Sequence, residues 1–158
     1  LEEAMVFGDE VEKRRMLIKN RTDIFGEQLI VDELDNLIGV EENLLSNATS
    51  ISYDEVPEFV SEFKGICYPA HIDRQTNGVI YTLGTFPEKP FFGCAELHDE
   101  GKIQELVEKH PVLNGKKIII GSDAHYLWDI RDKKAYFDID DEPYSSEIVR
   151  KRLFESLR

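Results

Sequence analysis

The chain has 158 residues, 41% of them hydrophobic, which is enough for one domain with an apolar core. Its 32 acidic residues against 19 basic ones give a formal net charge of -13, which repels nucleic-acid phosphates and anionic lipid headgroups and argues against both as main partners. No run approaches the ~18 to 20 apolar residues of a membrane span and no charged start with an apolar stretch marks a secretory signal, so the reading is cytoplasmic.

Leu1, Ala4, Met5, Val11 and Met16 fall roughly on one helical face, which predicts an amphipathic helix ending near Asn20, with Gly8 as its weak point. Helical spacing already under way at Leu1 reads as the inside of a longer chain. Residues 28–31 and 37–40 are β-prone runs around Asp35-Asn36, a pair suited to positive φ, and predict a hairpin excursion between about residues 25 and 48. Ser52 or Asp54 can then cap a helix whose stripe is Val56, Phe59, Val60 and Phe63, with Pro57 in its first turn and Gly65 as its left-handed terminator.

Ile66-Cys67-Tyr68 reads as a short buried strand, and residues 92–97 as another. Ile103, Leu106 and Val107 define a helix that stops at His110-Pro111, and Lys117 to Ile120 is an apolar strand. A last strand over 135–139 and a helix carrying Ile148, Val149, Leu153 and Leu157 complete the pattern. Strands alternating with helices imply an α/β fold with a parallel sheet or barrel. Cys67 and Cys94 lie inside apolar runs and outside any CxxC pair, as reduced core residues do.

Functional groups follow two of the strands. Asp123 and His125 stand two apart after three consecutive isoleucines, and in extended backbone both side chains point to one side. His71 follows Pro69-Ala70 after the Ile66 strand, with Asp73 and Arg74 beside it. Imidazole and carboxylate at the carboxyl edge of a parallel sheet suit a divalent metal, and an arginine there can grip an anionic oxygen. The bland alternatives are a core histidine whose tautomer Asp73 fixes, a surface pair of Asp73 and Arg74, and a capped turn at Asp123. Glu96, near the end of its strand, is suited either to orient a ligand or to a structural salt bridge. His98 and His110 read as ordinary, the former in a polar turn and the latter at a helix end. The acidic run 138–142 lacks the glycine and distal glutamate of a calcium loop.

Residues 65–71 (GICYPAH), the Glu96 strand and residues 121–127 (GSDAHYL) together resemble the polymerase and histidinol phosphatase (PHP) family, metal-dependent phosphoesterases on a distorted seven-stranded β/α barrel. Residues 25–30 (FGEQLI) and 45–49 (LSNAT) extend the resemblance, to a clostridial-type subgroup, over nearly the whole chain. It implies that residues 1–158 are the C-terminal portion of one PHP domain. It further implies that His71, Asp123 and His125 are metal ligands, belonging to different ions of a two- or three-metal cluster of zinc, manganese or iron. Arg74 matches, weakly, a position near the substrate, and Glu96 a family strand position to which no role is assigned; from the residues themselves, Glu96 and Asp73 are candidates to support ligands from behind. No residue is assigned as the catalytic acid or base.

Family members begin with a His-x-His strand and add further acidic and histidine ligands before the region corresponding to residue 1. None of these is present here. The implied partners are therefore a small phosphoester and the missing N-terminal half of the domain, and the chain alone is expected to bind metal weakly, hydrolyse little and be marginal or associate. A rival reading is a non-catalytic binding or regulatory module on a PHP-like scaffold, with the hairpin contacting a protein.

Overall fold

The computed structural model describes residues 2–132 and 135–158. Leu1, where the first predicted helix begins, lies outside them. The chain divides into two compact units, Leu1–Tyr53 and Asp54–Arg158.

In the first unit, α1 (Glu2–Lys13) ends well before Asn20. The backbone after it is claimed by a different partner. Ser50 N–H donates to the Arg14 carbonyl at 2.7 Å, Met16 N–H to that of Ala48 at 3.2 Å and Leu44 N–H to that of Ile18 at 2.7 Å. Isolated bridges join Arg15 to Thr49 and Lys19 to Asn43. Arg15, its side chain only 7% exposed, ties this ribbon down by pairing with Glu12 and, at 3.7 Å, with Glu41. Long-range pairing thus overrides the helical spacing of Met16. A single helical turn, α2 (Thr22–Phe25), follows, and Gly26 leaves it at φ 74°.

The hairpin forms where the β-prone runs predict it, as β1 (Leu29–Val31) and β2 (Leu37–Val40), antiparallel with Leu29 opposite Val40 and Val31 opposite Leu37. Asp35 takes the predicted positive φ, 62°. The turn is wider than a two-residue one because Asp32 organises it: its Oδ1 accepts the Leu34 and Asn36 N–H groups, both at 2.9 Å. Among the described residues, every buried hydrophobic side chain belongs to the second unit.

In the second unit, α3 (Val56–Glu62) has Pro57 in its first turn as predicted. Its N-cap residue, Glu55, makes no side-chain cap hydrogen bond, however, and the left-handed residue after it is Lys64 at φ 59°, not Gly65. Gly65 serves a different purpose: a β-carbon there would lie 2.7 Å from Val60 Cγ1, so its lack of a side chain lets the chain fold back on the helix. Then come α4 (Val79–Leu83), β3 (Cys94–Leu97), α5 (Ile103–Lys109), β4 (Lys117–Ile120) and α6 (Ser146–Ser156). The helix α5 ends at His110-Pro111, because proline cannot continue its hydrogen-bond ladder.

Strands β3 and β4 pair in parallel from Cys94 opposite Lys117 to Leu97 opposite Ile120. Ile72, Phe86, Phe92, Ala95, Leu97 and Leu113 form the core beside them, with Ile103, Leu106 and Val107 of α5 packed against it. Cys94 is fully buried and Cys67 partly so, both as free thiols. The fold is mixed α/β, and among the described residues there are two two-stranded sheets and no closed barrel. Two predicted strands are absent. Residues 66–68 are half-buried but unladdered, and residues 135–139 are irregular. Tyr136 and Phe137 instead line a cleft of about 460 Å³ along Ile118, Ile119 and Ile120 of β4, and Phe137 packs under Lys117 Nζ, 4.5 Å from the ring centre. A cation–π contact with the start of β4 replaces a ladder along it. Among the described residues no helix is long and apolar enough to cross a membrane.

Candidate functional site

The site is built on three chain segments that leave the sheet in the same direction. Glu96 N–H donates to the Pro69 carbonyl at 2.9 Å and Ile72 N–H to the Glu96 carbonyl at 2.8 Å, so the 69–72 stretch lies beside β3 in the sense of a parallel pair. The stretch carries one residue more than a regular ladder would use, as in a bulge. His71 absorbs the excess by adopting φ 34°, while the neighbouring Ile72 is 1% exposed and anchors the bulge in the core. His71, His98 after β3 and Asp123 after β4 therefore leave the carboxyl ends of neighbouring segments, the edge at which parallel sheets present functional groups.

Asp123 is also left-handed, at φ 50°. Histidine and aspartate tolerate this region better than most residues, and holding a non-glycine residue there stores strain of the kind that gathers at functional sites. The kink breaks the alternation expected of an extended Asp-Ala-His segment, so Asp123 and His125 do not simply share one side of a strand. Instead His125 Nδ1 lies 2.8 Å from the Asp123 carbonyl oxygen, and the imidazole is exposed. Because the carbonyl can only accept, that ring nitrogen carries the proton, and Nε2 is the nitrogen left with a lone pair.

Arg74 does not stand free. Its Nη2 donates to Asp123 Oδ2 at 2.9 Å, joining the two loops. That hydrogen bond is the main reason the Asp123 carboxyl is held below its ordinary value of 3.8; nearby His71 and His125 pull the same way when cationic, and desolvation opposes them. Asp123 is thus kept ionised. The Arg74 loop is set by Gly78, where a β-carbon would lie 2.2 Å from the Arg74 carbonyl oxygen.

Asp73 neither fixes the His71 tautomer nor pairs with Arg74. With its side chain 1% exposed, it accepts the His98 N–H at 2.8 Å and the Asp99 N–H at 2.9 Å, while Lys102 Nζ lies 4.0 Å away. Burial alone would raise its pKa, but the two backbone donors and Lys102 outweigh that and hold it below the ordinary carboxylate value. Its task is to fasten the loop after β3 to the loop that carries His71. Glu96 reaches across the neighbouring strand end: a β-carbon on Gly121 would lie 2.5 Å from its Oε1. The carboxylate therefore rests over the glycine two residues before Asp123.

His98, read from the sequence as an ordinary turn residue, belongs to the same rim. Its Nε2 is 3.1 Å from Arg131 Nη2, and its Nδ1, like that of His71, is buried without a hydrogen-bond partner. Since guanidinium only donates, His98 Nε2 is the acceptor. Only its place immediately after β3 could have drawn attention to it. His110, by contrast, meets Thr85 Oγ1 at 3.3 Å beside the core. Past His125, Tyr126 and Trp128 stack with ring centres 4.9 Å apart and, with Leu127 and Ile130, line an open cleft.

The donors are right in kind for a divalent metal: an orphaned buried imidazole nitrogen, a carboxylate kept ionised and an exposed imidazole. They do not close around one ion. Among the described residues no three His, Cys, Asp or Glu side chains stand close enough to hold a metal. The chain matches no known family model, no curated protein and no solved structure in the three comparisons made.

Proposed function

We propose that the chain is the C-terminal part of a PHP-type β/α barrel and supplies His71, Asp123 and His125 as ligands to separate ions of a metal-dependent phosphoesterase site. The observation that carries this reading is the bulge at His71: it brings a left-handed histidine with an unsatisfied buried nitrogen to the same sheet edge as a left-handed, ionised Asp123. When bound, the divalent ions supply an activated water and offset the charge that develops on phosphate.

This chain's own groups do the rest. Asp123 offers an anionic ligand kept deprotonated by Arg74. Arg74, pivoting from that carboxylate, presents a planar cation to a phosphoryl oxygen. Asp73 fastens the loop after β3 to the loop that carries His71, and Glu96 rests over Gly121. The substrate class is a small phosphoester; a net charge of -13 disfavours a long polyanion.

A second reading is a non-catalytic module on a PHP-like scaffold, which needs no convergence of ligands, and among the described residues no three ligating side chains converge. One experiment separates them. Bound manganese, iron and zinc are measured with hydrolysis of p-nitrophenyl phosphate, on this chain and on the longest form its gene encodes. The enzyme reading expects metal and turnover in the complete form, both lost in His71→Asn. Absence of metal and turnover there, with no effect of His71→Asn, supports the module.

A further inference from the structure

The hairpin β1–β2 carries a strip of exposed apolar side chains within an acidic stretch of sequence. Cross-strand pairing puts Leu29 with Val40 and Val31 with Leu37 on one face, and these four side chains are 53, 50, 47 and 60% exposed. On the other face Ile30 folds over Gly39, whose β-carbon would lie 3.6 Å from Ile30 Cδ1. Among the described residues its sheet has two strands, so the outer edges of Leu29–Val31 and Leu37–Val40 carry no ladder, while just past β2 the Glu42 carbonyl already accepts the Asn20 N–H. Neither strand carries the lysine or proline that commonly guards an edge.

Charge then selects the occupant. From Glu27 to Glu42 the sequence holds six acidic residues and no lysine, arginine or histidine. Glu27, Glu33, Asp35 and Glu42 are exposed around the apolar strip. A second copy of this chain would bring two such acidic rims together, and nucleic acid or an anionic bilayer would be repelled. An apolar strip with an acidic rim and open edges complements an extended segment with aliphatic residues on one side and basic ones on the other.

We propose that the hairpin is a docking arm that accepts, as an added strand, a protein segment alternating aliphatic and basic residues. Backbone hydrogen bonds at the edge supply affinity, the aliphatic side chains cover Leu37 and Val40, and the basic ones meet Glu33 and Glu42. The inference stands apart from the metal chemistry, which uses other residues.

The test uses the whole chain and a fluorescent peptide of alternating lysine and valine, with glutamate–valine and lysine–serine peptides as comparisons, read by anisotropy at physiological salt. Saturable binding of the lysine–valine peptide is expected, with backbone amide shifts confined to the hairpin. Leu37→Lys with Val40→Lys, and separately Glu33→Lys with Glu42→Lys, weaken it at least about tenfold. All four positions are exposed, and circular dichroism checks that the variants stay folded. No binding of the lysine–valine peptide overturns the proposal, as does equal binding of the glutamate–valine peptide. A concentration-dependent dimer in sedimentation, abolished by Leu37→Lys, overturns it in favour of a second copy.

Discussion

Arg74 Nη2 lies 2.9 Å from Asp123 Oδ2, so the cation proposed to meet an anionic substrate already rests on the carboxylate proposed to meet a metal. The two uses compete. Arg74→Ala removes a resident cation from Asp123 and is expected to tighten manganese binding a few-fold, the scale of an exposed ion pair. On the proposed function, the same change in the longest form the gene encodes is expected to raise KM for an anionic phosphoester. Isothermal titration with manganese and steady-state kinetics check both. Weaker metal binding would mean that Arg74 serves to position Asp123 and does not compete with the ion.

Asp73 satisfies the His98 and Asp99 N–H groups from a side chain 1% exposed. Asp73→Ala leaves both donors without a partner and is expected to cost about 2–4 kcal/mol in urea unfolding, with Asp73→Asn costing less because an acceptor remains. The folded-state pKa is lowered, so the stability that Asp73 contributes is present above its unfolded value of about 4 and is lost as pH falls through the folded one. Asp73→Ala therefore shrinks the difference in stability between neutral and acidic pH.

Gly121→Ala drives a β-carbon into the Glu96 carboxylate, which sits at the end of a side chain able to swing aside. The expected cost is about 1 kcal/mol. Because the clash belongs to the pair, Gly121→Ala combined with Glu96→Ala should cost less than the sum of the single changes. A double-mutant cycle measures that coupling.

Burial raises the thiol pKa values of Cys67 and Cys94 above the ordinary 9.0, and Cys94 also donates its S–H to the Leu157 carbonyl at 3.3 Å. Both thiols are expected to react slowly with Ellman's reagent at pH 8, Cys94 the more slowly, and at once in guanidinium. With folded values raised, their contribution to stability is whole below about pH 9 and is lost as pH climbs through the folded values.

What was legible in the sequence was set by local pattern. The hairpin, α5 with its stop at His110-Pro111, β4 and α6 follow from runs, breakers and periodic apolar residues close together in the chain. What was missed depends on distant partners. Residues 14–20 leave the helical path because 42–50 offers them a ladder, and 135–139 gives up a strand because Phe137 finds Lys117. The same split runs through the site. Spacing singled out His71, Asp123 and His125, but the Arg74–Asp123 pair, the task of Asp73 and the place of His98 arise from residues brought together across the sheet.

The left-handed backbone at His71 and Asp123 bears on any substitution scan of these two positions. Each is filtered twice, once by chemistry and once by conformation, and the conformational filter alone already rejects valine, isoleucine and threonine in favour of glycine, asparagine, aspartate and histidine. Intolerance of branched residues there would consequently carry no information about metal or substrate. Glycine and asparagine are the informative replacements, since they accept the geometry while withdrawing the imidazole or the charge.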